Sequence, residues 1–243
     1  MHRSIPMTAA GAAAVAVLLA GCSSSSTNGK GSTKTPAGSS SVSTSAAPPS
    51  KAQLAAMVLQ PADVPSGWTA SAADESSTAD DEAVQAKLTA CLGVANSDSQ
   101  KVATATSRDY DQGDASISSE ASSYRSSEVV DRDAAALVGD KAEGCFETLL
   151  KEQVAKEVPA GGKVDKVDVT VIPHASGQPD NVVAAVEAQI TISASGQSAT
   201  VYADVTFIRG KQVEAQVEFI GLGARIPEDV RGKAVEAVAG RVA

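Results

Sequence analysis

The stretch Val201-Tyr202-Ala203-Asp204-Val205-Thr206-Phe207-Ile208-Arg209-Gly210-Lys211-Gln212-Val213-Glu214-Ala215-Gln216-Val217-Glu218-Phe219 decides the fold. Val201, Ala203, Val205 and Phe207 alternate with polar neighbours, Arg209-Gly210-Lys211 supplies a turn, and Val213, Ala215, Val217 and Phe219 alternate again. Period-two alternation on both sides of a short glycine-bearing turn predicts two antiparallel strands with one apolar and one solvated face. The pattern continues toward the N-terminus. Val164 to Ile172 alternates through Val167, Val169 and Val171, and Val182 to Ile192 through Val186, Ala188 and Ile190, with Ser195-Gly196-Gln197 as the next turn. Four strands in a meander follow from this.

Upstream, Val102, Thr104 and Thr106, then an Asp- and Gly-bearing turn from Asp109 to Asp114, then Ile117, Ser119, Ala121 and Ser123 read as a weaker hairpin. Helical spacing marks Lys51 to Gln60, which Pro61 terminates, and Glu82 to Leu92, with Val84, Leu88 and Cys91 on one side. A long helix capped by Asp131 and running to about Glu157 is predicted from Ala135, Val138, Ala142, Cys145, Phe146, Leu149 and Val154. A last one starts at Pro227 and ends near Val242. The expected fold is α+β: a twisted antiparallel sheet of about six strands in the order ββ-α-ββββ-α, with helices packed on one face. Aromatics are 3% of the chain, so the core must come from Val, Ala, Leu and Ile, which suits a sheet.

The N-terminus carries an address. Met1-His2-Arg3 is a short basic segment and Ala9 to Ala20 is apolar. About 12 apolar residues are too few to span a hydrocarbon core of about 30 Å, so they read as a signal sequence. Leu19-Ala20-Gly21-Cys22 resembles the bacterial lipobox, which implies cleavage before Cys22 and diacylglyceryl (palmitate-type) modification of its thiol. Two acyl chains are what stable anchoring needs. Residues 1–21 are therefore expected to be a signal peptide. Residues 22–50, almost wholly Ser, Thr, Gly, Pro, Ala and Lys, are expected to be a disordered tether, because nothing there offsets the entropy of ordering. Residues 51–243 form the expected extracytoplasmic domain on the outer side of a cell membrane.

The formal charge is −9, and removing residues 1–21 takes away Arg3 and no acid. An acidic chain with no basic stripe is repelled by phosphate backbones, which argues against nucleic acid as a partner. Of the three cysteines, Cys22 is assigned to lipid, and Cys91 and Cys145, on two apolar helix faces outside the cytoplasm, read as a disulfide.

Candidate chemistry is sparse. His174, the single histidine after Cys22, shares a loop with Ser176 and Asp180, which lacks the rigidity a catalytic triad requires. With Asp109 at position 1 of a calcium loop, Asp111 and Glu120 fall at positions 3 and 12, but Gly113 and Asp114 reverse the order the loop needs. An acidic hairpin turn is expected there instead, with no metal. Trp68, after the turn Asp63-Val64-Pro65-Ser66-Gly67, is a core plug or a ligand platform. Gly221-Leu222-Gly223 lacks the third glycine of a dinucleotide fingerprint and reads as a turn, so no cofactor is expected.

The turn Pro61-Ala62-Asp63-Val64-Pro65-Ser66-Gly67-Trp68, the two core cysteines and the α+β order resemble actinobacterial, especially mycobacterial, envelope lipoproteins. Within that group the likeness is to the sensor-type extracellular domain of a mycobacterial serine/threonine kinase, also found on free lipoproteins. The resemblance implies a central sheet flanked by helices, disulfides, and a cleft that takes a ligand. The kinase-linked domains typically have two disulfides, whereas this chain has one cysteine pair after Cys22. The expected function is a membrane-tethered ligand-binding or sensor-like module without catalytic activity, its ligand a small molecule, a lipid or an envelope protein. A lipid or glycolipid carrier with an apolar cavity between sheet and helices is the alternative, and an enzyme ranks below both.

Overall fold

The alternating stretch becomes four consecutive strands in the computed structural model, which describes residues 47–72, 79–158, 161–174 and 177–242. The signal segment, Cys22 and the tether as far as residue 46 lie outside the described residues. In chain order the elements are α1 (Lys51–Ala55), β1 (Thr69–Ser71), α2 (Ala79–Leu92), a 3-10 turn (Asp98–Gln100), β2 (Lys101–Thr106), β3 (Asp109–Gln112) and β4 (Ala115–Tyr124). They continue as α3 (Ser127–Leu137), α4 (Ala142–Glu157), β5 (Lys163–Pro173), β6 (Val182–Ala194), β7 (Gln197–Arg209), β8 (Val213–Leu222) and α5 (Glu228–Val242).

Eight strands form one sheet, not six, in the order β1-β3-β4-β8-β7-β6-β5, with β2 also on β4. All pairs are antiparallel. The strand β4 is long enough to serve two partners, Ile117 facing Tyr110 of β3 and Ala121 facing Ala105 of β2. The two extra strands come from segments expected as turn and loop. Asp109–Gln112 is a strand because the hairpin turn is confined to Gly113 and Asp114, with Gly113 at φ +60°. Thr69–Ser71 adds three exposed residues at the edge, with no alternation to betray them.

The α+β class stands, but the helices lie on both faces of the sheet, and the cause is one hairpin. In β6 and β7 a two-residue turn, Ser195-Gly196 with both φ positive, sets Val205 opposite Val186 and Ala203 opposite Ala188. Between β7 and β8 the first pair is Arg209 with Glu214, leaving four residues, Gly210 to Val213, between them, so Val205 faces Glu218 and Phe207 faces Gln216. Residues opposite each other point to the same side of a sheet, so the apolar set of β8 points away from the apolar set of β7. Phe219 and Ile220 accordingly belong to different cores. Val213, Ala215, Val217 and Phe219 join Ile117 and Ala121 beneath α1 and α5, where Leu54, Ala234, Val235, Val238 and Ala239 close the first core. Val167, Val169, Val186, Ala188, Ile190, Val201 and Ala203 are covered by Phe146, Leu150 and Val154 of α4 and by Val84 of α2.

The single long helix expected from Asp131 to Glu157 is two helices, broken over Val138 to Lys141. Gly139 and Asp140 are weak helix formers, and a break lets each half follow its own part of the sheet: α3 lies near β4, β6, β7 and β8, while α4 packs chiefly on β5. The Sγ atoms of Cys91 and Cys145 lie at disulfide distance, with Cα atoms 5.8 Å apart, linking α2 to α4. Packing begins before residue 51: Pro48 and Pro49 are half-buried, and the Ser123 hydroxyl donates to the Pro49 carbonyl at 2.8 Å. The Asp63 turn is a clamp. Its carboxylate accepts from the Gln60 amide at 2.7 Å and from Arg241 of α5 at 2.6 and 3.2 Å. Gly221 has no alternative, because a Cβ there would come 2.1 Å from the Ala224 carbonyl oxygen.

Candidate functional site

Because the apolar side changes between β7 and β8, each face of the sheet carries a seam where an apolar strand meets a polar one. On the face covered by α5, the polar side of β7 brings Asp204 beside Glu187 of β6. Arg231 reaches Glu187 at 3.0 Å and Asp204 at 3.1 Å, and Arg225 reaches Asp204 at 3.1 Å while its guanidinium lies 5.4 Å from the Tyr202 ring centre. Glu228 also pairs with Arg231, so three acids meet two guanidinium groups, and the cluster locks α5 and the loop before it onto the sheet.

The opposite seam is open. The polar side of β8 presents Glu214, Gln216 and Glu218, and β4 adds Ser122 and Glu120 in register, Gln216 facing Glu120 and Glu214 facing Ser122. The α2 and α3 helices stand over this strip without filling it, leaving a cleft of about 120 Å³. Leu88 and Leu92 of α2, Leu137 of α3 and Phe207 of β7 form its apolar wall, and Lys101, Glu120, Tyr124, Asp133 and Glu214 form its polar one. Phe207 holds its place against Phe146 of α4, ring centres 6.2 Å apart.

The polar wall is largely satisfied from within. Arg132 donates to Asp133 at 2.9 Å and to the Ser97 hydroxyl at 2.6 Å, and Ser97 also bonds Asp133. Lys101 pairs with Asp98 at 3.7 Å, and Thr104 and Ser122 hydroxyls meet at 2.9 Å. Glu214 is the exception. Tyr124 bonds its side chain, but Oε1 is buried and has no hydrogen-bond partner among the described residues. Burial, reinforced by Asp133, pushes this carboxyl up to about 7 against the opposing pull of Tyr124, Lys101 and Arg132. Glu218, fully buried two positions further along the same side of β8, is raised well above its ordinary value by burial and by Glu120 and Asp109, although Ser118 bonds it.

The residues singled out from sequence do not converge here. Trp68 is half-buried against the first core, beneath the other face, and does not line the cleft. It acts as a core plug. Asp109, Asp111 and Glu120 are on paired strands, not in a binding loop: Asp111 accepts from the Ser71 hydroxyl at 2.9 Å, and Glu120 stands on the neighbouring strand. Among the described residues no group of three or more His, Cys, Asp or Glu is disposed to hold a metal ion. His174 is exposed at the end of β5, and Ser176 lies outside the described residues. Of the three cysteines, Cys91 and Cys145 are brought together, while Cys22 lies outside the described residues. Among the described residues no helix is long and apolar enough to cross a membrane.

Sequence reasoning missed Glu214, Tyr124 and Asp133. One signal was present: Glu214, Gln216 and Glu218 recur at period two on a strand whose other side is purely apolar. They read as solvated because nothing local shows that α2 and α3 cover them. Comparison with known protein families finds no matching family, and comparison with curated proteins finds no match.

Proposed function

We propose that this chain is a lipoprotein anchored through Cys22 to the outer side of a cell membrane, whose α+β domain binds a small organic ligand between the sheet and α2–α3. In this reading the domain is a sensor-like binding module of the envelope, of the kind its likeness to the kinase-linked extracellular domain implies. The observation that carries it is the cleft, in which an apolar wall meets a polar wall bearing a buried, incompletely bonded carboxyl group. Ligand sites combine apolar lining with a few convergent polar groups in this way. Binding without chemistry is favoured because His174 stands apart from the cleft, and the Ser97 hydroxyl at its wall is held between Arg132 and Asp133 with no histidine beside it among the described residues. The size argues for a small ligand over a lipid, since an apolar cavity of about 150 Å³ takes one benzene ring.

Ligand-observed NMR with small amphipathic fragments, on the full chain carrying Cys22→Ala, tests this reading. Bound fragments should lose their signal when Leu137→Trp fills the cleft. Absence of any fragment response sensitive to that substitution overturns the reading, and a long-chain lipid retained in native mass spectrometry would replace it with the carrier.

A further inference from the structure

The cleft's charges identify the kind of ligand it takes. Each cation along or beside the polar wall already has an acid of its own: Lys101 pairs with Asp98 at 3.7 Å, Arg132 with Asp133 at 2.9 Å, and Arg209 with Asp131 at 2.8 Å. Among the described residues Glu214 is bonded by the Tyr124 hydroxyl, a neutral partner, and its Oε1 is buried without a hydrogen-bond partner. Asp133 of α3 and Glu120 of β4 line the same wall and add negative potential. Among the described residues the cleft is lined by four carboxyl groups, Asp98, Glu120, Asp133 and Glu214, against two cations, Lys101 and Arg209, so an anion entering it would meet a net negative wall. A neutral polar head would leave the ionised form of Glu214 an uncompensated buried charge.

We propose that the cleft selects a small organic cation, its ammonium or amidinium head against Glu214 and an apolar body of about one ring over Leu88, Leu92, Leu137 and Phe207. This rests on the cleft being a binding site and specifies what binds there. A cationic head compensates the carboxylate in a place water reaches poorly, where charge-assisted bonds are strongest. The apolar body covers the opposite wall, where Leu88, Leu92, Leu137 and Phe207 are only half-buried.

Proton linkage gives the proposal a second signature. In the empty cleft Glu214 titrates near 7, with Asp133 raising it and Lys101, Arg132 and Tyr124 lowering it; Glu120 and Arg209 also line the space. A cation binds the ionised form, so entry displaces up to one proton, and affinity rises with pH until the carboxyl is ionised in the free protein.

Calorimetry on the full chain carrying Cys22→Ala tests this with benzylamine, benzyl alcohol and benzoate as probes. Benzylamine should bind, about tenfold or more tighter at about pH 8 than at about pH 5.5, with proton release read from buffers of different ionisation enthalpy. Glu214→Gln, which keeps the shape, should weaken benzylamine at least tenfold at the higher pH while the folded chain keeps a sharp thermal transition. If benzyl alcohol or benzoate binds as tightly as benzylamine, or Glu214→Gln leaves benzylamine affinity within twofold, selection of a cation is overturned while the cleft remains a binding site. If none of the three probes binds the folded chain, the cleft reading falls with it.

Discussion

Glu214 occupies the polar side of a strand whose other side builds a core, and its carboxyl group is buried by helices that the strand's own sequence does not announce. In the unfolded chain this group titrates near 4.5, and in the folded chain near 7. The folded chain therefore holds the extra proton between those values, so stability is fullest below about 4.5 and declines as pH rises to about 7, by about 3 kcal/mol in all. Thermal melts of the ligand-free chain should show the midpoint falling across that window, and Glu214→Gln should flatten the fall. Glu218 slopes the same way in both proteins, so the difference between the two curves isolates Glu214. A wild-type midpoint that rises over the window, or a variant whose slope is unchanged, would contradict the assignment. Glycine 221 shows what a sequence conceals at this scale. It sits in a Gly-x-Gly pair suggestive of a phosphate loop, yet its lack of a side chain is needed for the Ala224 carbonyl to approach.

Elements with strict alternation were legible: β5 to β8 and α5 stand where the pattern puts them, within a few residues. What the pattern did not contain was the parity of the β7–β8 loop. Three or four residues between the strands leave the alternation of each unchanged but send the second strand's apolar set to opposite sides. Reading Arg209-Gly210-Lys211 as the turn therefore predicted one covered face, whereas the loop closing Arg209 on Glu214 makes two. The helix break at Gly139 was hidden for a related reason, since the apolar period continues across it. The Cys91–Cys145 link was legible because only two cysteines remained after the anchor was assigned. It fixes α2, one wall of the cleft, to α4. Replacing both cysteines with alanine should lower stability by about 4 kcal/mol, the loop-entropy value for a bridge of this span, read as a shift in denaturant midpoint. The same variant should bind benzylamine more weakly, because α2 carries Leu88 and Leu92; unchanged stability would show that the link contributes nothing.

At the scale of the whole molecule, the sheet divides two interiors. One is filled by α1 and α5, and the other is filled under α4 but incompletely under α2 and α3. In the proposed reading a tether beginning at Cys22 carries the folded domain. The proposed anchor predicts that Cys22→Ala, expressed in a bacterium that acylates lipoproteins, moves the chain from the membrane fraction to the soluble fraction and abolishes incorporation of labelled palmitate. The thermal midpoint of the domain should stay the same. Retention in the membrane fraction would refute the anchor.

The change of side between β7 and β8 also bears on how such a domain can diversify. Along β8, positions 213, 215, 217 and 219 are held by one interior, while 214, 216 and 218 answer to the other. Substitutions at the even positions can retune what the cleft recognises without disturbing the odd ones, so a lineage can drift in specificity along one side of a strand while the opposite side stays frozen.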